Sequence, residues 1–133
     1  MPSPPQLFQF ALLVRDYDEA IAWYTRALGW DLIEDTPLSP EKRWVVVGVS
    51  GAMQVLLARA ATEAQAAHIG RQGGGRVWLF LRSDDFDVDC ARLAAAGARF
   101  DGAPRSEAYG QVVVFEDLYG NRWDLIGPPR ASG

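Results

Sequence analysis

Hydrophobic positions along the chain follow two rhythms, and the switches between them mark out the elements. The run LFQFALLV (7–14) has the length and apolar content of a buried strand. The next segment, YDEAIAWYTRAL (17–28), places Ala20, Ile21, Tyr24, Ala27 and Leu28 on one face of a helix. Asp16 followed by Glu19 has the spacing of a capping box, and Gly29 is a natural helix stop. WDLI then resumes the strand pattern. The same grammar returns in the second half: VWLFL (77–81), Asp84 as the expected cap, DFDVDCARLAAA (85–96) with Phe86, Cys90 and Leu93 on one face, then Gly97 and ARF.

The two passages match in spacing. Asp16 and Asp84 stand 68 positions apart, as do Gly29 and Gly97. WVVVGVSGAMQVLLA (44–58) and VVVFEDLYGNRWDLI (112–126) share that offset, each reading as two strands around a turn that carries glycine. Each half therefore predicts β-α-β-β-β, and the chain is a repeat of one structural unit. Between the halves, ATEAQAAHIGRQGGGR predicts a short helix capped by Thr62 and a glycine hinge at 73–75, which lacks the Lys and Ser/Thr of a phosphate loop. The expected organisation is one domain over 1–133, with module one at about 7–58, a linker at 59–75 and module two at 76–128. A four-stranded sheet with one helix leaves its second face bare, and pairing two copies closes that face. The expected fold is α+β, two tandem βαβββ modules forming a curved mixed sheet around a central cavity.

Composition narrows the function. The 133 residues are 49% hydrophobic with five Trp, enough for one core. Seventeen acids against 13 bases give a net charge of -4, and the bases are scattered, so no stripe is offered to nucleic-acid phosphates. A single cysteine, Cys90, forms no internal disulfide and reads as a small buried hydrophobe. MPSPPQLFQF lacks the regions of a secretion signal, and no run approaches the roughly 18 apolar residues of a membrane span. A soluble, cytoplasmic protein without nucleic-acid or membrane partners is expected.

One charge stands out. Asp124 lies in a strand-like run between Trp123, Leu125 and Ile126. Alternation puts Arg122, Asp124 and Ile126 on one face, so if Trp123 and Leu125 pack under the helices, Asp124 faces the cavity. A carboxylate there needs a metal, a cation or several donors. Arg82 and Arg122 are the candidate partners, and an Asp–Arg pair is one way to satisfy it. Trp44, Trp78, Phe80 and Phe115 are read either as cavity walls or as core, and Tyr109 with Gly110 either as a rim or as a turn. The one histidine, His68, sits in the linker, so no Ser-His-acid or Cys-His constellation is available.

Three segments, ALLVRDYDEAIAWYTRALGWDL, LRSDDFDVDCARLAAAGARF and FEDLYGNRWDLIGP, together resemble the vicinal oxygen chelate superfamily of glyoxalase I, bleomycin-resistance proteins and extradiol dioxygenases. The likeness runs from Leu7 to about Pro128, and its last segment is similar to the family's closing Asp-x-x-Gly-Asn-x-x-(Glu/Asp)-Leu hairpin. In metal-dependent members, the resemblance implies, four cavity-facing strand positions supply ligands. Here they fall on Gln9, on Gln54 or its offset equivalent Leu56, on Trp78 or Arg76, and on Asp124. One acid with one or two amides falls short of a divalent site, so no cofactor is expected, with Zn, Ni, Mn or Fe as the alternative. The function implied is that of a glyoxalase/bleomycin-resistance-like protein holding a small organic ligand in the inter-module cavity. Gln9, Trp44, Gln54, Trp78, Phe80, Tyr109 and Phe115 would bind the ligand. If the protein is a catalyst, Asp124 would act as base and Arg82 or Arg122 would stabilise an oxyanion. Two alternatives stay open. One is sequestration of a drug or toxin without turnover, with Asp31, Glu34, Asp35, Glu107 and Glu116 as an acidic rim suited to a cation. The other is a metal-dependent lyase, isomerase or dioxygenase. The habit of relatives of sharing sheets between chains implies a homodimer.

Overall fold

Asp16 begins the first helix as its spacing predicts: its carboxylate accepts the Glu19 backbone N–H at 2.8 Å. In the computed structural model, which describes residues 2–130, that helix, α1 (Tyr17–Leu28), follows β1 (Gln9–Val14) and ends at Gly29 in the left-handed region, φ 68°. There follow β2 (Asp31–Pro37), β3 (Arg43–Gly48), β4 (Gln54–Arg59) and the short α2 (Glu63–Ala66), capped by Thr62 as expected. The second module is β5 (Val77–Arg82), α3 (Phe86–Ala95), β6 (Arg99–Glu107), β7 (Gly110–Glu116) and β8 (Arg122–Gly127). The first residues of β1, β2 and β4 recur 68 positions later as the first residues of β5, β6 and β8. One spacing differs from expectation. The cap of α3 is Asp85, not Asp84, its carboxylate accepting from Val88 N–H at 3.3 Å. The buried Ser83 fixes the strand end by donating its N–H to the Ile126 carbonyl at 2.7 Å, so the helix begins one acid later.

Two four-stranded mixed sheets result, ordered β1-β4-β3-β2 and β5-β8-β7-β6. In each, the first strand runs parallel to its neighbour and the others are antiparallel. Leu12, Val14, Val45, Val47, Val55 and Leu57 turn to one side of the first sheet, and Val113, Phe115, Trp123 and Leu125 to one side of the second. All ten belong to a single continuous apolar cluster with Ala20, Tyr24 and Ala27 of α1 and Phe86 and Leu93 of α3, and the two helices touch. The sheets therefore face each other through their helices, and their outer faces look away from the shared core. Removal of that apolar surface from water is the main stabilising term, about 1.5–3 kcal/mol for each fully buried large side chain.

A carboxylate pins the junction. Asp117, buried in the β7–β8 turn, accepts five hydrogen bonds: Tyr24 Oη at 2.7 Å, Trp123 Nε1 at 2.9 Å, Asn121 Nδ2 at 3.0 Å, and the backbone N–H groups of Tyr119 at 3.0 Å and Asn121 at 2.9 Å. Tyr24 stacks on Trp30, Trp30 meets Trp123 edge-on at 5.9 Å, and Trp123 stacks on Phe115 at 6.0 Å. Helix α1 of one module is thus tied to the closing hairpin of the other. Burial pushes the Tyr24 phenol well above its usual value, and the neighbouring Asp117 adds to this, so Tyr24 remains a donor.

The linker is close-packed where it meets the first module. Gln72 closes the free edge of β1, accepting from Leu13 N–H at 2.8 Å and donating to the Ala11 carbonyl at 3.2 Å. A Cβ on Gly73 would sit 2.5 Å from Cβ of Trp78, so this glycine serves close approach, whereas Gly74 and Gly75 face open space as a hinge would. Asp117→Ala leaves the Tyr24 hydroxyl and the Trp123 indole N–H buried without an acceptor, and is expected to cost about 3 kcal/mol or more. Tyr24→Phe, which removes one donor of five, is expected to cost about 1–2 kcal/mol. Urea unfolding curves of the two variants check both values.

Candidate functional site

Alternation along β8 settles where Asp124 points. Trp123 and Leu125 are buried in the shared core, so Arg122, Asp124 and Ile126 lie on the outer face of the second sheet. Across the sheet, Asp124 registers with Phe80 on β5 and with Val114 on β7. Phe80 is 64% exposed, a large ring left bare on a sheet face. An open groove of about 700 Å³ runs along this face, walled by Phe80, Arg82, Tyr109, Ile126, Pro128 and Pro129, with Ser83 and Asp84 at one end.

Two local devices shape the groove. Ser83 donates its hydroxyl to Asp89 of α3 at 2.5 Å while its N–H holds Ile126, which fixes the Arg82–Asp84 bend against the helix. Gly110 permits the close crossing of β7 over the end of β8: a Cβ there would lie 2.0 Å from the Gly127 carbonyl oxygen, and its φ is +149°. That crossing carries Tyr109, 60% exposed at the β6–β7 turn, to the groove wall.

The predicted site residues divide into three groups. Phe80, Arg82 and Tyr109 line the groove, and Asp124 with Arg122 continues the same face. Gln9 and Gln54 are register partners on the outer face of the first sheet, and Trp44 lies on that face of β3, its neighbours Val45 and Val47 pointing inward. None of these three lines the groove, whose walls come from the second module alone. Phe115 and Trp78 face elsewhere. Phe115 is fully buried because it stands directly opposite Trp123, and opposed residues share a face. Trp78 follows a register shift in β5, packs edge-on to Phe10 at 5.8 Å, and belongs to the module junction. The acids read as one rim lie on both modules, and several are paired: Asp35 with Arg43, Glu107 with Arg105, Glu116 with Arg99. His68 is exposed in the linker. Cys90 is half-buried, and burial, with the nearby Asp87 and Asp89, raises its pKa. Ile126, Pro128 and the Ser83–Asp89 bond were not singled out in the sequence; the face shared by Ile126 with Asp124 was the available signal.

Electrostatics set Asp124 apart. Its Oδ1 is buried without a hydrogen-bond partner. The Arg122 partner predicted for it is taken: that guanidinium bonds to Asp101 of β6 and, at 3.2 Å, to the Gly75 carbonyl. Arg82 makes no ion pair among the described residues. Burial raises the Asp124 pKa above 3.8, opposed in part by the charges of Arg105 and Arg122. Within one chain the described residues do not assemble a metal site. The first-module equivalent of Asp124 is Leu56, Gln9 and Gln54 lie on the other sheet, Trp78 is packed at the junction, and no group of three His, Cys, Asp or Glu converges among the described residues.

Comparison with known proteins now places this architecture. Two tandem βαβββ modules, each a four-stranded mixed sheet with one long helix, define an α+β domain. The profile of the Glyoxalase/Bleomycin resistance protein/Dioxygenase superfamily matches residues 6–125, and the chain belongs to that superfamily. It is 50% identical over 123 residues to an uncharacterized protein of Shewanella frigidimarina (strain NCIMB 400), covering 90% of this chain and 91% of that one. Among solved structures, it is similar to TnmS3, an antibiotic binding protein from Streptomyces sp. CB03234, at 30% identity and TM-score 0.76 over 96% of this chain and 99% of that one. A glyoxalase/bleomycin resistance protein from the same organism is similar at 32% identity and TM-score 0.66, covering 89% of this chain and 96% of that one. No helix among the described residues is long and apolar enough to cross a membrane.

The raised pKa of Asp124 has a stability consequence. The native state holds this proton more tightly than the unfolded chain does, so ionised Asp124 is a net cost above the ordinary carboxylate range, and the cost vanishes at lower pH. Asp124→Asn is therefore expected to melt at the same temperature as the parent or higher at neutral pH, with the difference fading as pH falls through that range. Paired melting curves across pH check the sign.

Proposed function

We propose that this protein binds a small organic molecule on the outer face of its second sheet and acts by holding it, without a tightly bound metal. The observation that carries this reading is the groove bounded by Phe80, Tyr109 and Ile126. Its volume of about 700 Å³ falls within the roughly 300–1,000 Å³ of small-molecule sites, and its walls join bare aromatic and aliphatic surface to a few polar groups. Membership of the superfamily and likeness to an antibiotic binding protein support the same class of function. Holding a ligand requires only walls and charge complementarity. Of the groups assigned to catalysis, Arg122 is committed to Asp101, which argues against an oxyanion role for it.

The groove is open along one side, and a second copy is the fitting cover. The first sheet's outer face carries half-exposed Trp44 and the Gln9–Gln54 pair. Laid over the second sheet of a partner chain, that face would close the groove and return Gln9, Trp44 and Gln54 to the ligand as residues contributed across the seam. Two such contacts related by a twofold axis give a homodimer. This part of the reading concerns assembly and stands apart from the groove itself.

A ligand that binds only the folded state raises the melting temperature by mass action, by about 2.7 kcal/mol of added stability at a hundredfold excess over Kd. A thermal-shift screen against antibiotics, aromatic metabolites and divalent metals is expected to give organic hits that Phe80→Ala and Tyr109→Ala each weaken at least tenfold. Metal hits alone, or organic hits indifferent to both variants, would contradict the reading. Light scattering during size exclusion is expected to report a dimer in the parent and a monomer in Trp44→Asp.

A further inference from the structure

We propose that Asp124 selects the ligand, so that the binding face takes an organic molecule presenting a protonated amine beside an apolar body that lies over Phe80 and Ile126. The inference rests on the reading that this face binds a small molecule, and adds the chemical class of what it binds. Asp124 Oδ1 is buried with no donor, an arrangement that a folded chain tolerates poorly unless something else supplies the hydrogen bond.

The neighbouring charges are already matched. Arg122 is held by Asp101 and the Gly75 carbonyl. Arg105, reaching from β6, lies 3.3 Å from Glu107. Arg122 and Arg105, the two guanidiniums whose charges act on Asp124, therefore each have their own carboxylate, and Asp124 makes no ion pair among the described residues. Around it stand Phe80 and Val114 across the strands and Ile126 two residues along. An acceptor set among apolar side chains, with its local cations neutralised, favours a ligand bringing a donor and a positive charge. A carboxylate-bearing ligand would find no free donor here. It would have to use Arg82, at the Ser83–Asp84 end of the groove, which makes no ion pair among the described residues. The two chemistries thus predict different anchor points and can be told apart.

Three probes that share one ring separate them: benzylammonium, benzyl alcohol and benzoate, titrated at neutral pH and constant ionic strength into the isotope-labelled full chain, with backbone amide shifts as the readout. Benzylammonium is expected to move the amides of Phe80, Asp124 and Ile126 and to bind at least tenfold more tightly than benzoate, with benzyl alcohol between them. Asp124→Asn is expected to remove that preference, bringing benzylammonium to within about threefold of benzoate. Asp124→Ser serves the same purpose should the amide refill the site with a new hydrogen bond. Benzoate binding as tightly as benzylammonium, or either variant keeping the full preference, would overturn the role given to Asp124 and leave the groove standing as a binding face. Failure of all three probes to move the groove amides would remove the binding face itself, and the inference with it.

Discussion

A buried carboxylate that makes no ion pair among the described residues holds the two halves of this molecule in their arrangement. Asp117 is surrounded by five donors drawn from α1, from β8 and from its own turn, which is all that a carboxylate's two oxygens can usefully accept. Because one donor, Tyr24, belongs to the first module and the others to the second, the interaction fixes how the modules meet as well as the shape of the turn. The aromatic stack of Tyr24, Trp30, Trp123 and Phe115 fills the space behind it. Neither half buries its helix completely alone, and the charge is tolerable only while both are in place.

From that junction the position of the proposed binding face follows. With α1 and α3 occupying the space between the sheets, the outer faces are the surfaces left for a ligand. The two differ in chemistry although the modules repeat one pattern of elements. The first presents amides and an indole, Gln9, Gln54 and Trp44; the second presents a bare phenyl ring, an unpaired guanidinium and an unsatisfied carboxylate. The position that is Leu56 in one module is Asp124 in the other, so the pair of modules offers a single acid where a metal would want several. The second face also has its ends stiffened, by the Ser83–Asp89 bond and by the close crossing at Gly110. A ligand would meet a groove already formed and pay little ordering entropy on entry.

Much of the fold was legible because it is written in local rules. The repeat offset of 68 reappears in three pairs of strands, the Asp16 cap and Gly29 stop lie where their spacing put them, and alternation put Asp124 on the face opposite the helices, which is an outer face and not the wall of the inter-module cavity expected, because the core fills the space between the sheets. What escaped is non-local. Two adjacent acids, Asp84 and Asp85, both satisfy a cap pattern, and the bond from Ser83 to Ile126 decides between them. Phe115 was read as core or wall, and the hairpin register opposite Trp123 decides for core. Arg122 was matched in sequence to the neighbouring Asp124, and the folding of β6 across β7 gives it instead to Asp101, 21 positions away. The glycine run at 73–75 looked like a plain hinge because nothing nearby in sequence shows that Trp78 folds against Gly73. Asp117 stands in the closing hairpin motif in plain view, yet its partner Tyr24 is 93 positions away, and no periodicity carries that information.

Hydrogen–deuterium exchange, followed with and without a bound organic ligand, tests the account most directly. Protection is expected to rise along β5, at the β6–β7 turn and at the end of β8, while the amides of Tyr119 and Asn121, already closed over Asp117, exchange slowly in both states and change little. Protection that instead rises within α1 and α3, with the turn at Asp117 opening to admit the ligand between the modules, would contradict it.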